Sequence, residues 1–270
     1  MIPAQFEYVA AESAVDALDL LAEYGDDAKL LAGGHSLLPM MKLRLAAPQV
    51  LIDIGGLTEL AGVSTDGDEL VVGATTRHAD LAASELARAE APLLAYAAAQ
   101  VGDPQIRHRG TIGGSLAHAD PAADLPMALV ALGGTVVLQG PEGSRSVAAD
   151  DFFQGYFETA MEPGELLVSV RVPRRPGVPW GYQKFVRRSN DWAIVGVAAV
   201  AGRIALANMG ATPLRATGAE EALAGGASAA EAAGHAADGT SPGEDIHADR
   251  EYRRHLAKVL TRRALEHQTG

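Results

Sequence analysis

Two short segments carry the residue types best suited to holding a phosphate. They are Ala32-Gly33-Gly34-His35-Ser36-Leu37 and Thr111-Ile112-Gly113-Gly114-Ser115. Each runs from an apolar residue through a double glycine to a serine. Glycine lets a backbone come close to a ligand and adopt positive φ without a Cβ clash. Successive N–H groups in such a turn can converge on an anion, and a helix N-terminus adds to the attraction. The Ser36 and Ser115 hydroxyls can donate as well. One double glycine is an ordinary turn. Two of this form suggest the halves of a clamp on a dinucleotide, against the simpler reading of two unrelated loops.

A third cluster, His118-Ala119-Asp120-Pro121-Ala122-Ala123-Asp124, mixes one histidine with two aspartates. As a metal set it is weak, because no second histidine stands at helical spacing. Asp120 before Pro121 reads instead as a helix N-cap with proline at the first helical position. Asp124 then falls in the first turn, where it suits the helix dipole and could also hold a ribose hydroxyl. Other nucleotide and nucleophile signatures are missing: no G-x-G-x-x-G follows a strand, and neither a P-loop nor a G-x-S-x-G elbow occurs.

Composition narrows the function further. The formal net charge of −12 argues against a nucleic-acid footprint, which needs a basic patch. With no cysteine, the chain can form no disulfide and ligate no iron–sulfur cluster through thiolates. The opening residues lack a basic-then-apolar leader, and no apolar run of about 18 residues occurs. The expectation is a cytoplasmic protein with no membrane span. Aromatics make up only 5%, so helix contacts should be small and close.

The elements that must position these residues follow from pattern. Ser13 caps a helix that Gly25 stops, and Ala28–Leu31 is a strand feeding the first glycine turn. A helix over Leu37–Leu45 and a buried strand over Val50–Ile54 complete a βαβ-like unit. Leu60–Val63 and Glu69–Gly73 flank the hairpin signal Asp66-Gly67. Thr76 caps a helix through Leu81, and Pro92–Val101 is a second. Asp103–Arg109 is a loop entering the second glycine segment. A helix over Ala122–Leu132, a strand over Thr135–Leu138, a short helix capped by Asp150 and a strand over Leu166–Val172 follow. Pro173, Pro176 and Pro179 mark a domain boundary. Beyond it, Tyr182–Arg187, Ala193–Ala201 and Ile204–Met209 form a meander. Gly225–His247 is loose and partly helical. Asp249–His267 is a helix with Tyr252, Leu256, Val259 and Leu260 on its apolar face.

Ala32–Pro39, with Lys42-Leu43-Arg44 after it, resembles the first flavin motif of the medium subunit of molybdenum hydroxylases. Thr111–Asp124 resembles the second. Tyr182-Gln183-Lys184-Phe185 and Asp191-Trp192-Ala193 are similar to the start of the family's C-terminal domain, and Tyr252-Arg253-Arg254 to its last helix. The likeness covers nearly the whole chain and is strongest to the carbon monoxide dehydrogenase branch. It implies an α+β fold: an FAD-binding domain of PCMH type over residues 1–175, in subdomains of about 1–56 and 57–175, then a smaller α/β domain with an antiparallel sheet over 177–270.

The same resemblance implies FAD as cofactor. Ala32, Gly33, Gly34, His35, Ser36 and Leu37 would hold it with Thr111, Ile112, Gly113, Gly114 and Ser115. Lys29 and Asp124 would be further contacts, and Lys184 and Trp192 would approach the flavin. No residue is implied as catalytic. The partners implied are a large subunit with the molybdenum cofactor and a small one with [2Fe–2S] clusters, assembled as a dimer of heterotrimers, cytoplasmic or held at a membrane through the complex. Electrons would leave FAD to an external acceptor.

Many relatives have tyrosine where Trp192 stands, which leaves a flavin-facing and a core role both open. The tight turn at Ala201-Gly202 and the run Asn208–Ala211 depart from the family pattern and suggest a differently packed C-terminal domain. Arg250, Arg253, Arg254, Lys258, Arg262 and Arg263 make either a solvated face or a docking face on the last helix. Two alternatives remain: a self-contained oxidase of the vanillyl-alcohol-oxidase type with flavin bonded to His35, and a nucleotide-binding regulatory module without redox work.

Overall fold

A computed structural model describes residues 2–269. Ser13 accepts a hydrogen bond from the Asp16 amide (3.0 Å) and starts the helix Ala14–Tyr24, which ends at Gly25. That helix covers a parallel sheet in which Val50–Asp53 (β3) lies between Glu7–Ala10 (β1) and Ala28–Leu31 (β2). Strand β1 was not foreseen. Its residues are mostly exposed, so it has no apolar run to betray it.

The next unit is a five-stranded antiparallel sheet. Its strands are Val63–Asp66 (β4), Glu69–Gly73 (β5), Thr135–Gly140 (β6), Gly143–Ala148 (β7) and Leu166–Pro173 (β10), in the order β4-β5-β10-β6-β7. A two-stranded hairpin, Phe153–Gly155 (β8) and Glu158–Thr159 (β9), precedes β10. Leu70 and Val72, Val136 and Leu138, and Val170 and Val172 alternate inward, as the two-residue period of a strand requires. They pack with a layer of helices.

Several local readings change here. Asp103 caps a helix over Pro104–Arg109 by accepting from the Ile106 amide (2.9 Å), where a loop was expected. Ser84 caps a further helix, Glu85–Glu90. Thr76 caps nothing: its hydroxyl bonds both the amide and the carbonyl of Gly62, and the helix starts at His78. Asp120 is not a cap either. Its carboxylate closes a turn on the Ala122 amide (2.9 Å), and the helix begins only at Asp124. Asp150 lies inside the short helix Ala149–Phe152 and holds Arg203 (2.8 Å).

The C-terminal sheet is antiparallel, with Trp180–Phe185 (β11), Val195–Val200 (β12), Arg203–Ala207 (β13) and Leu214–Arg215 (β14) in sequence order. The helix Arg250–Glu266 packs on β11 and β12 and is capped by Asp249 (2.7 Å to the Tyr252 amide). Of the basic residues expected on one face, Arg250, Arg254, Lys258, Arg262 and Arg263 are exposed, as a solvated face requires, and only Arg253 leaves it. Arg253 is 2% exposed, pairs with Asp245 (2.6 Å) and donates to the Ile194 carbonyl. Arg254 and Arg250 donate to the Thr240 and Pro242 carbonyls. These three side chains tie the helix to its own preceding loop.

One helix joins the halves of the molecule. All nine residues of Asp124–Leu132 are buried, and the helix packs against β10 on one side and β12 and β13 on the other. A helix that is apolar all round belongs in such a place.

Candidate cofactor-binding site

A cavity of about 820 Å³ opens between the glycine segments and reaches the C-terminal domain. Its volume suits a sizeable organic ligand. Of the residues singled out from the sequence, Lys29, Ala32 to Leu37, Thr111, Gly113 to Ser115, Asp124, Lys184 and Trp192 all line it. Ile112 does not. Its side chain is buried in the core beneath the second segment. Trp192 is 54% exposed, which removes the core role considered for it.

The first segment leaves β2, bends, and enters the helix Leu37–Lys42. Gly34 takes φ +76°, where a side chain would be strained and would also press on Leu38. The N–H groups of Gly33 through Leu37 find no acceptor among the described residues. They form an open set of donors on the cavity, the feature a bound anion needs.

The second segment is closed. Thr111 caps the helix Ile112–His118 by accepting from the Gly114 amide (3.2 Å). Ile112 donates to the Thr76 carbonyl (3.0 Å), Gly113 to Ala74 (2.8 Å) and Ser115 to Thr111 (3.0 Å). Its glycines serve proximity instead. A Cβ on Gly113 would sit 2.8 Å from the Ala74 carbonyl oxygen, whereas one on Gly114 would meet only the Thr111 hydroxyl. The two segments touch through Gly33, where a Cβ would lie 2.5 Å from the Arg109 carbonyl oxygen and 2.8 Å from the Gly110 Cα.

At the other end of the cavity, Lys184 on β11 reaches Asp124 (2.9 Å) and the Gln100 carbonyl (3.2 Å). The Tyr182 hydroxyl donates to the other Asp124 oxygen. Both members of the ion pair are at least nine-tenths buried. Burial pushes the Asp124 carboxyl above the usual carboxylate range, opposed by Lys184 and the tyrosine hydroxyl. Burial, with Asp124 beside it, holds the Tyr182 phenol well above its ordinary value. With both oxygens engaged, Asp124 is not available for the metal set considered above.

Sequence reasoning missed His78, which also lines the cavity. It is 4% exposed, and burial, with His35 and Arg107 nearby, lowers its pKa to about 4. The only signal for it was a histidine within a helix start that had been assigned to Thr76.

Comparison with known proteins places the chain. Residues 4–175 match the FAD-binding domain in molybdopterin dehydrogenase, and residues 180–268 the CO dehydrogenase flavoprotein C-terminal domain. The carbon monoxide dehydrogenase medium chain of Hydrogenophaga pseudoflava is 45% identical, over 98% of this chain and 97% of that one. The 6-hydroxypseudooxynicotine dehydrogenase complex subunit alpha of Paenarthrobacter nicotinovorans is 39% identical, over 98% and 95%. The solved carbon monoxide dehydrogenase from Hydrogenophaga pseudoflava lacking the Mo-pyranopterin moiety superposes with a TM-score of 0.94, at 47% identity and 98% coverage of both chains. That agreement overturns the expectation of a differently packed C-terminal domain: Ala201 and Gly202 simply take positive φ in a tight turn between β12 and β13. The self-contained oxidase reading finds no support. The chain belongs to the family of FAD-binding medium chains of the molybdopterin dehydrogenases.

Proposed function

We propose that this chain is the flavin relay of a three-part molybdenum hydroxylase. FAD supplies the ability to accept electrons and pass them on. This chain's residues bind and orient it. The open amides of Gly33 to Leu37 hold the pyrophosphate, Gly114 and Ser115 form the facing wall, and Lys184 and Trp192 flank the flavin. The single observation that carries this assignment is the continuous cavity. It draws its lining from both glycine segments and the C-terminal domain.

The absence of cysteine supports placing [2Fe–2S] clusters on a small partner chain and the molybdenum cofactor on a large one. We read the assembly as a dimer of heterotrimers in the cytoplasm; no helix among the described residues is long and apolar enough to cross a membrane. The division of the chain near residue 176 is supported by the proline cluster and by the ranges of the two matched domains. The relatives act on different substrates by name, which agrees with substrate chemistry residing on another chain.

Purification of the complex from its native source tests the reading. The expected result is stoichiometric FAD on this chain, co-purifying chains that contain molybdenum and iron, and flavin bleaching by substrate only when those chains are present. A chain that purifies alone, reducing its own flavin with substrate, would overturn it.

A further inference from the structure

Among the described residues, buried side-chain atoms without a hydrogen-bond partner occur on His78, Arg175, Arg253 and Thr261. Only His78 lines the cavity. Its backbone N–H donates to the Gly110 carbonyl (2.9 Å). Its ring lies so close to Gly110 that a Cβ there would be 2.8 Å from both Nε2 and Cδ2. Gly33 approaches the same glycine. The imidazole therefore stands at the junction of the two glycine segments, where the phosphates of a dinucleotide would lie.

A histidine there is costly if it only fills space. Its Nδ1 is sealed from water with nothing to bond, so it carries the bare lone pair of the neutral ring. The proton then sits on Nε2, which is not among the sealed atoms and has no partner among the described residues. Leucine would pack the site without that cost. Burial, with His35 on the first segment and Arg107 on the helix Pro104–Arg109 nearby, disfavours a second proton on the ring.

We propose that His78 is an FAD-binding residue. Its Nε2–H donates a hydrogen bond to a phosphate oxygen of FAD when the cofactor fills the cavity. This rests on the FAD reading above.

The test uses the full-length chain, stripped of flavin and titrated with FAD by flavin fluorescence, with thermal midpoints measured without FAD. His78→Leu should weaken FAD binding about tenfold to a hundredfold, the range for losing a hydrogen bond to a charged acceptor. Its midpoint without FAD should hold or rise. His78→Gln, which keeps a donor, should recover part of the affinity. In the wild-type chain, the ring ¹⁵N resonances of His78 should shift on FAD addition, a readout that does not depend on either variant folding. Wild-type affinity in His78→Leu, or unmoved ring resonances alongside normal FAD uptake, would overturn the role of His78 alone. Failure of the wild-type chain to take up FAD would overturn the cofactor reading and this proposal together.

Discussion

The two glycine segments look alike in sequence and differ in what their backbones do. In the first, five consecutive N–H groups are left without acceptors. In the second, the amides from Ile112 to Ser115 are all bonded, two of them to the carbonyls of Ala74 and Thr76. One segment leaves its donors open on the cavity. The other uses its donors to fix its own position, and its glycines allow close packing on one side and an open wall on the other. A double glycine thus marks two different physical needs, and only the hydrogen-bond partners separate them.

The largest test of this contrast acts where the segments meet. Gly33→Val places a branched side chain against the Arg109 carbonyl, which a Cβ alone would approach to 2.5 Å. Nothing there is the flexible end of a side chain, so backbone must move. Overpacking of this kind should cost about 3 kcal/mol or more. Calorimetry should show the loss without FAD, and the isolated variant should carry no flavin. Full flavin content would show that the seam between the segments is not part of the site.

Acid should weaken the second segment's support. Burial holds the His78 imidazole down at about 4 in the fold, against its ordinary value of 6.5. Between these values the unfolded chain binds a proton that the fold excludes, so stability falls as pH drops from about 6.5 to 4 and levels off below. Above pH 6.5 the group contributes no slope. The full step is about 3 kcal/mol. Urea denaturation of the flavin-free chain across this range should lose that part of its pH slope in His78→Leu. An unchanged slope would mean that the ring is not held neutral.

Much of this arrangement was legible beforehand, and the misses have specific causes. The glycine segments, β2, β3 and the C-terminal meander follow from local pattern. The helix Pro104–Arg109 was also readable, since Asp103-Pro104 is a cap followed by proline at the first helical position. Its six residues, none of them buried, carry no apolar period to set them apart from a loop. The burial of Arg253 was not readable. Its partner Asp245 lies in a stretch of low pattern, and its carbonyl acceptor is on Ile194, far away in sequence. The same holds for Tyr182 and Asp124, whose contact depends on two domains closing over one helix.

Within the second segment, adjacent glycines should respond differently to one added methyl. Gly113→Ala drives a Cβ toward the Ala74 side chain (2.7 Å) and carbonyl (2.8 Å), both on the residue that directly follows β5 and that also accepts the Gly113 amide. It should cost about 2 kcal/mol, in the range for overpacking.

Gly114→Ala should produce the smallest stability change. Its new methyl faces the cavity and meets only the Thr111 hydroxyl at 2.9 Å, which must shift from its capping position. Alanine in place of a helical glycine returns up to about 1 kcal/mol, and a weakened cap costs a similar amount. The two should nearly cancel, leaving the thermal midpoint of the flavin-free chain close to that of the wild type. FAD affinity should still fall, because the methyl occupies the wall facing the open amides of the first segment. The ratio of the two effects is the informative quantity. Gly113→Ala should lose stability first and affinity only as a consequence, whereas Gly114→Ala should lose affinity alone. Equal behaviour of the two variants would mean that the second segment has no separate packing side and ligand side, and the distinction between the two glycine segments would fail with it.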